Sequence, residues 1–167
     1  MPCFVKDTIK ECLADGLGLE SGIYEKGSSL TFDLILHIVE RFLCLAAPCI
    51  IEANFRQHEV VRIETLLEKY GATGLCFAFT GDLDVLYERY KARDKSGQRH
   101  WVHKAAESRD SFKQGHLRDN LTGIATGYLW KKILVDTTDF GAVDYEDLYF
   151  AAKSFLTSSG ISSTSHT

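Results

Sequence analysis

Four short apolar runs, Cys3–Val5, Cys49–Ile51, Leu75–Phe79 and Ile133–Val135, punctuate a chain whose other apolar positions follow a helical period. None of the four alternates apolar with polar residues. Each therefore predicts a strand covered on both faces, as in a parallel sheet. Between them, Thr31–Ala47 places Leu34, Ile35, Ile38, Phe42 and Leu45 on one helical stripe. His58–Tyr70 offers Val61, Leu66, Leu67 and Tyr70, with Gly71 as its stop. Asp82 suits the N-cap of a helix carrying Leu83, Leu86 and Tyr90. A last helix over 144–156 turns Leu148, Ala152 and Phe155 inward. Strands alternating with helices predict an α/β fold with a parallel sheet. Asp15–Ser29 reads as a loop, and Lys95–Lys131 as loop with one short helix. The tail over 157–167 is mostly Ser and Thr and is expected to be disordered.

A length of 167 residues fits one domain, expected over 1–156. A net charge of −4 gives no reason to expect a nucleic-acid partner. The most apolar stretch, Phe42–Ile51, is flanked or broken by Arg41, Pro48 and Glu52. It falls short of the about 20 residues a membrane-spanning helix needs. Five cysteines without a CxxC pair read as reduced thiols of a cytoplasmic protein, with Cys3, Cys49 and Cys76 packed in strands.

Polar residues follow every predicted strand: Lys6-Asp7, Glu52-Ala53-Asn54, Thr80-Gly81-Asp82 and Asp136-Thr137-Thr138-Asp139. In an open parallel sheet these ends share one edge, where ligands bind. Carboxylates and hydroxyls there can orient an attacking hydroxyl. A basic group follows the third strand. Arg89 and Arg93 are four apart on one helical face, ahead of Arg99, His100, His103 and Lys104. Guanidinium groups pair phosphate oxygens, so this face can clamp a polyphosphate; a solvated helix face is the plainer alternative. His100-Trp101-Val102-His103 has no third ligand nearby, so no metal site is expected, and no GxSxG elbow occurs.

Taken in order, these segments resemble the small P-loop kinases related to zeta toxin and chloramphenicol phosphotransferase. Phe4-Val5-Lys6-Asp7-Thr8-Ile9-Lys10-Glu11 is similar to their second strand and the Asp-x-x-Lys-Glu segment after it. Ile50–Phe55 is similar to the third strand, Glu88–Arg93 with Arg99–His103 to the lid, and Ile133–Thr138 to the last strand. The resemblance implies a three-layer P-loop NTPase-like sheet and an ATP- and Mg²⁺-dependent kinase of a small hydroxyl-bearing substrate. It places Asp7 at the acceptor hydroxyl and Lys10, Glu52 and Asn54 around the substrate. It turns Arg89 and Arg93 toward the phosphates of ATP, with Asp136, Thr137 and Thr138 near the nucleotide.

The family's first strand and its GxxxxGK[ST] loop have no counterpart in this sequence. That loop cradles phosphates with backbone N–H groups, and its Lys and hydroxyl serve charge and Mg²⁺. Its lack removes the ordinary ATP site and leaves a noncatalytic ligand- or protein-binding domain as the alternative. The family strand order is 2-3-1-4-5, so the missing strand is the central one. Edges would then be exposed on the second and third apolar runs, where pairing within the chain or with a second copy is expected.

Overall fold

Each apolar run forms a strand, and the strands pair two by two. A computed structural model describes residues 1–18, 24–103, 108–118 and 129–158. The order is β1 (Cys3–Val5), α1 (Lys6–Leu17), α2 (Tyr24–Cys44), β2 (Ile50–Glu52), α3 (Gln57–Tyr70), β3 (Gly74–Thr80) and α4 (Leu83–Lys95). Then come α5 (Arg109–Arg118), β4 (Trp130–Asp136), a 3₁₀ turn (Phe140–Ala142) and α6 (Tyr145–Ser158). Strand β1 lies parallel to β2 with Val5 opposite Glu52, and β3 lies parallel to β4 with Thr80 opposite Asp136. Among the described residues these are two separate two-stranded sheets. The parallel pairing meets the sequence expectation, whereas a single continuous sheet is not formed there. Every strand thus keeps one edge with no ladder partner among the described residues, and Ile50 and Phe79 are exposed.

The core lies between α2, α3 and β3. Phe32 and Leu36 meet Phe55, Val60, Ile63, Leu67, Cys76 and Ala78 there. Phe55 forms T-shaped contacts with Phe32 at 6.4 Å and Trp130 at 6.3 Å, so one aromatic chain ties α2 to the start of β4.

The local signals in the sequence mostly hold. Asp82 accepts hydrogen bonds from the N–H groups of Asp84 and Val85 as the N-cap of α4. Gly71 ends α3 with φ 60°, where a side chain would be strained. Several expectations are corrected. Of the stretch expected as a loop, residues 15–17 belong to α1 and 24–29 to α2, and residues 19–23 lie outside the described residues. The inward face of α2 is Phe32, Ile35, Leu36 and Val39, while Leu34 and Leu45 are exposed. On α3, Val60 and Ile63 are buried and Val61 is exposed. On α4 only Tyr87 is buried, and α6 buries no residue fully. Cys3 is exposed instead of packed. Thr157 and Ser158 close α6, and the rest of the expected tail lies outside the described residues. No described helix is long and apolar enough to cross a membrane.

Candidate functional site

Helix α1 starts directly from β1, so its first turn emerges beside the end of β2. The register sets Val5 against Glu52, and the next residues carry Lys6 and Asp7 into that space. Asp7 and Glu52 are within electrostatic reach. Glu52 is solvent-exposed as a whole, but partial desolvation of its carboxyl beside the start of α1 pushes it above the usual range, and the negative charge of Asp7 pushes it further. Lys10, one turn along α1, is buried, and burial holds its ammonium below the ordinary lysine value. Asp7 opposes that shift, and Lys6 and Arg99 add to it. A buried amine among two carboxylates and a guanidinium is an environment typical of functional sites. Asn54 lies two residues beyond β2 in an exposed turn.

A buried ion pair fixes the floor of this corner. Lys6 Nζ donates to Glu59 Oε1 at 2.7 Å, and Glu59 Oε2 accepts the Arg56 N–H at 2.9 Å. The second bond closes the first turn of α3. The pair therefore locks the start of α1 to the start of α3. The sequence reading did not single out either residue, because partners 53 positions apart have no local signature.

The end of the β3–β4 pair forms a second polar corner. The Thr137 N–H and hydroxyl both donate to Thr80 O. The Asp82 N–H donates to Thr138 Oγ1 at 2.7 Å. Hydrogen bonds from the Thr138 hydroxyl and N–H hold the Asp136 carboxyl below the usual range. Arg89 donates from Nη1 to Thr137 O and from Nη2 to Thr138 O, and its guanidinium lies 4.3 Å from the Phe140 ring centroid. Arg93 is exposed in the last turn of α4, 6.0 Å from the Tyr90 ring centroid. Arg89, Asp136, Thr137 and Thr138 are thus brought together, and Asp7 lies within electrostatic reach of both Lys10 and Glu52 at the other corner. Replacing Arg89 with Met removes two charge-assisted bonds to carbonyls. It is expected to cost about 1.5–3 kcal/mol of stability in urea denaturation.

The segment after α4 reaches α1. His103 Nε2 is 2.6 Å from Glu11 Oε1 and His103 Nδ1 is 3.9 Å from Asp7 Oδ1, while His100 Nε2 is 3.1 Å from Asp15 Oδ1. The sequence reading weighed these histidines as part of a basic, lid-like loop and as a metal pair, not as partners of α1. The signal it lacked is the spacing Asp7, Glu11, Asp15, which forms one face once α1 is known to be a helix.

No protein-family model matches this chain, and no curated protein matches it. Among solved structures, a candidate kinase from Chloroflexus aurantiacus J-10-fl superposes with a TM-score of 0.77 at 23% identity. The match covers 95% of this chain and 83% of that one. The chain has a kinase-like fold. The sequence has no GxxxxGK[ST] loop. The described residues contain no cluster of three or more metal-ligating side chains. The guanidinium of Arg89 is engaged by the Thr137 and Thr138 carbonyls and not turned outward.

Proposed function

We propose that this kinase-like chain carries the acceptor side of a phosphotransfer site, binding a small hydroxyl-bearing substrate at the end of the β1–β2 pair. Asp7 faces the hydroxyl as a base or orienting group, and Lys10, Glu52 and Asn54 hold the rest of the substrate. The observation that supports this reading is the Val5–Glu52 register, with Asp7 acting electrostatically both on Glu52 and on buried Lys10. Carboxylates that repel each other are relieved by hydroxyl donors placed between them, so a polyol or sugar suits the corner. Arg89, Arg93 and Asp136–Thr138 belong to the nucleotide side in this reading. Because the sequence has no GxxxxGK[ST] loop, this reading expects no ordinary ATP–Mg²⁺ site on that side.

The second reading is a noncatalytic binding domain that dimerises. It is favoured by the strand edges without ladder partners among the described residues and by exposed Ile50 and Phe79. One experiment separates the two. Amide spectra of the chain are recorded with a set of small polyols and sugars, and melting is followed with ATP–Mg²⁺. The acceptor-side reading expects shifts confined to Lys6–Glu11 and Glu52–Asn54, abolished in Asp7→Asn. It also expects no melting change from ATP–Mg²⁺, where a ligand at 100 times its Kd would add about 2.7 kcal/mol. No shift at Asp7 with any of these compounds, together with a sedimenting dimer, would replace it with the second reading.

A further inference from the structure

The segment that leaves α4 is strapped across α1. Arg99 pairs with Asp94 and lies over the Tyr90 ring, anchoring the base of the strap on α4. Gly97 turns the chain with φ 68°, and Val102 is buried. From there His100 and His103 reach the acidic face of α1. The two histidines differ chemically. His100 Nδ1 accepts the Val102 N–H at 3.2 Å, so its Nε2 carries the proton that goes to Asp15. A neutral ring satisfies both of those contacts. His103 has a carboxylate at each nitrogen, Glu11 at 2.6 Å and Asp7 at 3.9 Å, and its side chain is 6% exposed. Only Glu11 is within hydrogen-bond distance; at 3.9 Å the contact with Asp7 is electrostatic and attracts the carboxylate when the ring is an imidazolium.

We infer that His103 is a positioning residue for Asp7, through which the strap at Ser96–His103 sets the orientation of the carboxylate. The titratable groups against His103 are Asp7 and Glu11 on α1 and His100 on the strap itself, and both carboxylates also act on Lys10, as does Arg99. On β2, Glu52 repels Asp7. The imidazole draws Asp7 toward the strap and away from Glu52, and undocking of the strap removes that restraint. The consequence for catalysis rests on the reading of Asp7 as the acceptor-side carboxylate, but the positioning itself does not.

The test is carboxyl ¹³C NMR of the full chain across the titration of His103, with the ring followed in the same samples. The Asp7 and Glu11 carboxyl signals are expected to show an inflection at the midpoint of the His103 ring. That inflection should vanish in His103→Gln, which retains a donor for Glu11. The Asp15 signal, paired with His100, should keep its own behaviour as the internal control. Should His103→Gln not fold, Asp7→Asn gives the reciprocal readout: the His103 ring signals must move. Glu11→Gln is expected to speed amide exchange over Gln98–His103 by about tenfold, the loss of one charge-assisted bond. An inflection at Glu11 with none at Asp7 would overturn the inference, leaving His103 as a fastener of the strap alone. An inflection at Asp7 with no polyol or sugar binding would leave the positioning intact and remove the phosphotransfer reading.

Discussion

Glu59→Ala is expected to lower unfolding free energy by about 3–5 kcal/mol, a large share of the roughly 5–15 kcal/mol typical of a domain. Glu59 is 3% exposed and its partner Lys6 is 7% exposed. Removing the carboxylate strands the Lys6 ammonium in a nearly dry site and also opens the first turn of α3 at Arg56. Lys6→Met should cost a similar amount by leaving Glu59 uncompensated. Replacing both, as Lys6→Met with Glu59→Leu, should recover most of the loss, because desolvation of two charges offsets much of their attraction. Urea denaturation of these proteins, with Glu59→Leu alone as the missing corner, measures this cycle. Single losses below about 1 kcal/mol would mean that the pair is wetter than its geometry indicates.

Phe32→Ala has the other large expected effect, about 3–5 kcal/mol. The ring is 1% exposed and meets the edge of Phe55. Lys6 Nζ lies 5.1 Å from its centroid and the Arg62 guanidinium 5.6 Å. Truncation leaves a cavity bordered by Phe55 and removes the cation–π contact that helps hold Lys6. Leu34→Ala, two residues along the same helix, is the control. Leu34 is exposed, so its loss should stay below about 1 kcal/mol. Equal effects at the two positions would place the inward face of α2 where the leucine stripe had put it.

That contrast shows what was legible in the sequence. Runs such as Leu75–Phe79 identify strands because a short unbroken apolar run fits no single helix face, although the expected cover on both faces is not met: Phe79 and Leu134 are exposed. Caps were legible for the same reason of locality: Asp82 and Gly71 act on backbone within a turn of themselves. The face of α2 was not, since Leu34 and Phe32 are both apolar and only contact with Phe55 decides which one is buried. Helix α1 was missed because Lys6, Asp7, Lys10, Glu11 and Asp15 hide its period behind charges, two of which are buried lysines. Glu52 and Asp7 could be named from strand ends alone. Their adjacency, the Lys6–Glu59 pair and the hold of His103 on Glu11 depend on register and on contacts 53 or 92 residues apart. Arg89 shows the converse: spacing marks it as basic and helical, but its two carbonyl partners come from the end of β4.

The most direct measurement is the titration of the Glu52 carboxyl by ¹³C NMR in the native chain and in Asp7→Asn. Partial desolvation and then Asp7 raise this carboxyl in the folded chain. A folded value above the unfolded one gives stability that is fully present below the unfolded value and is lost as pH rises through the folded value. Glu52→Gln should flatten that slope. The expected result is a Glu52 midpoint above the ordinary glutamate range that falls when Asp7 is neutralised, because the two carboxylates share one corner. A Glu52 midpoint that Asp7→Asn leaves unmoved would separate the two residues, and the acceptor site proposed between them would not exist.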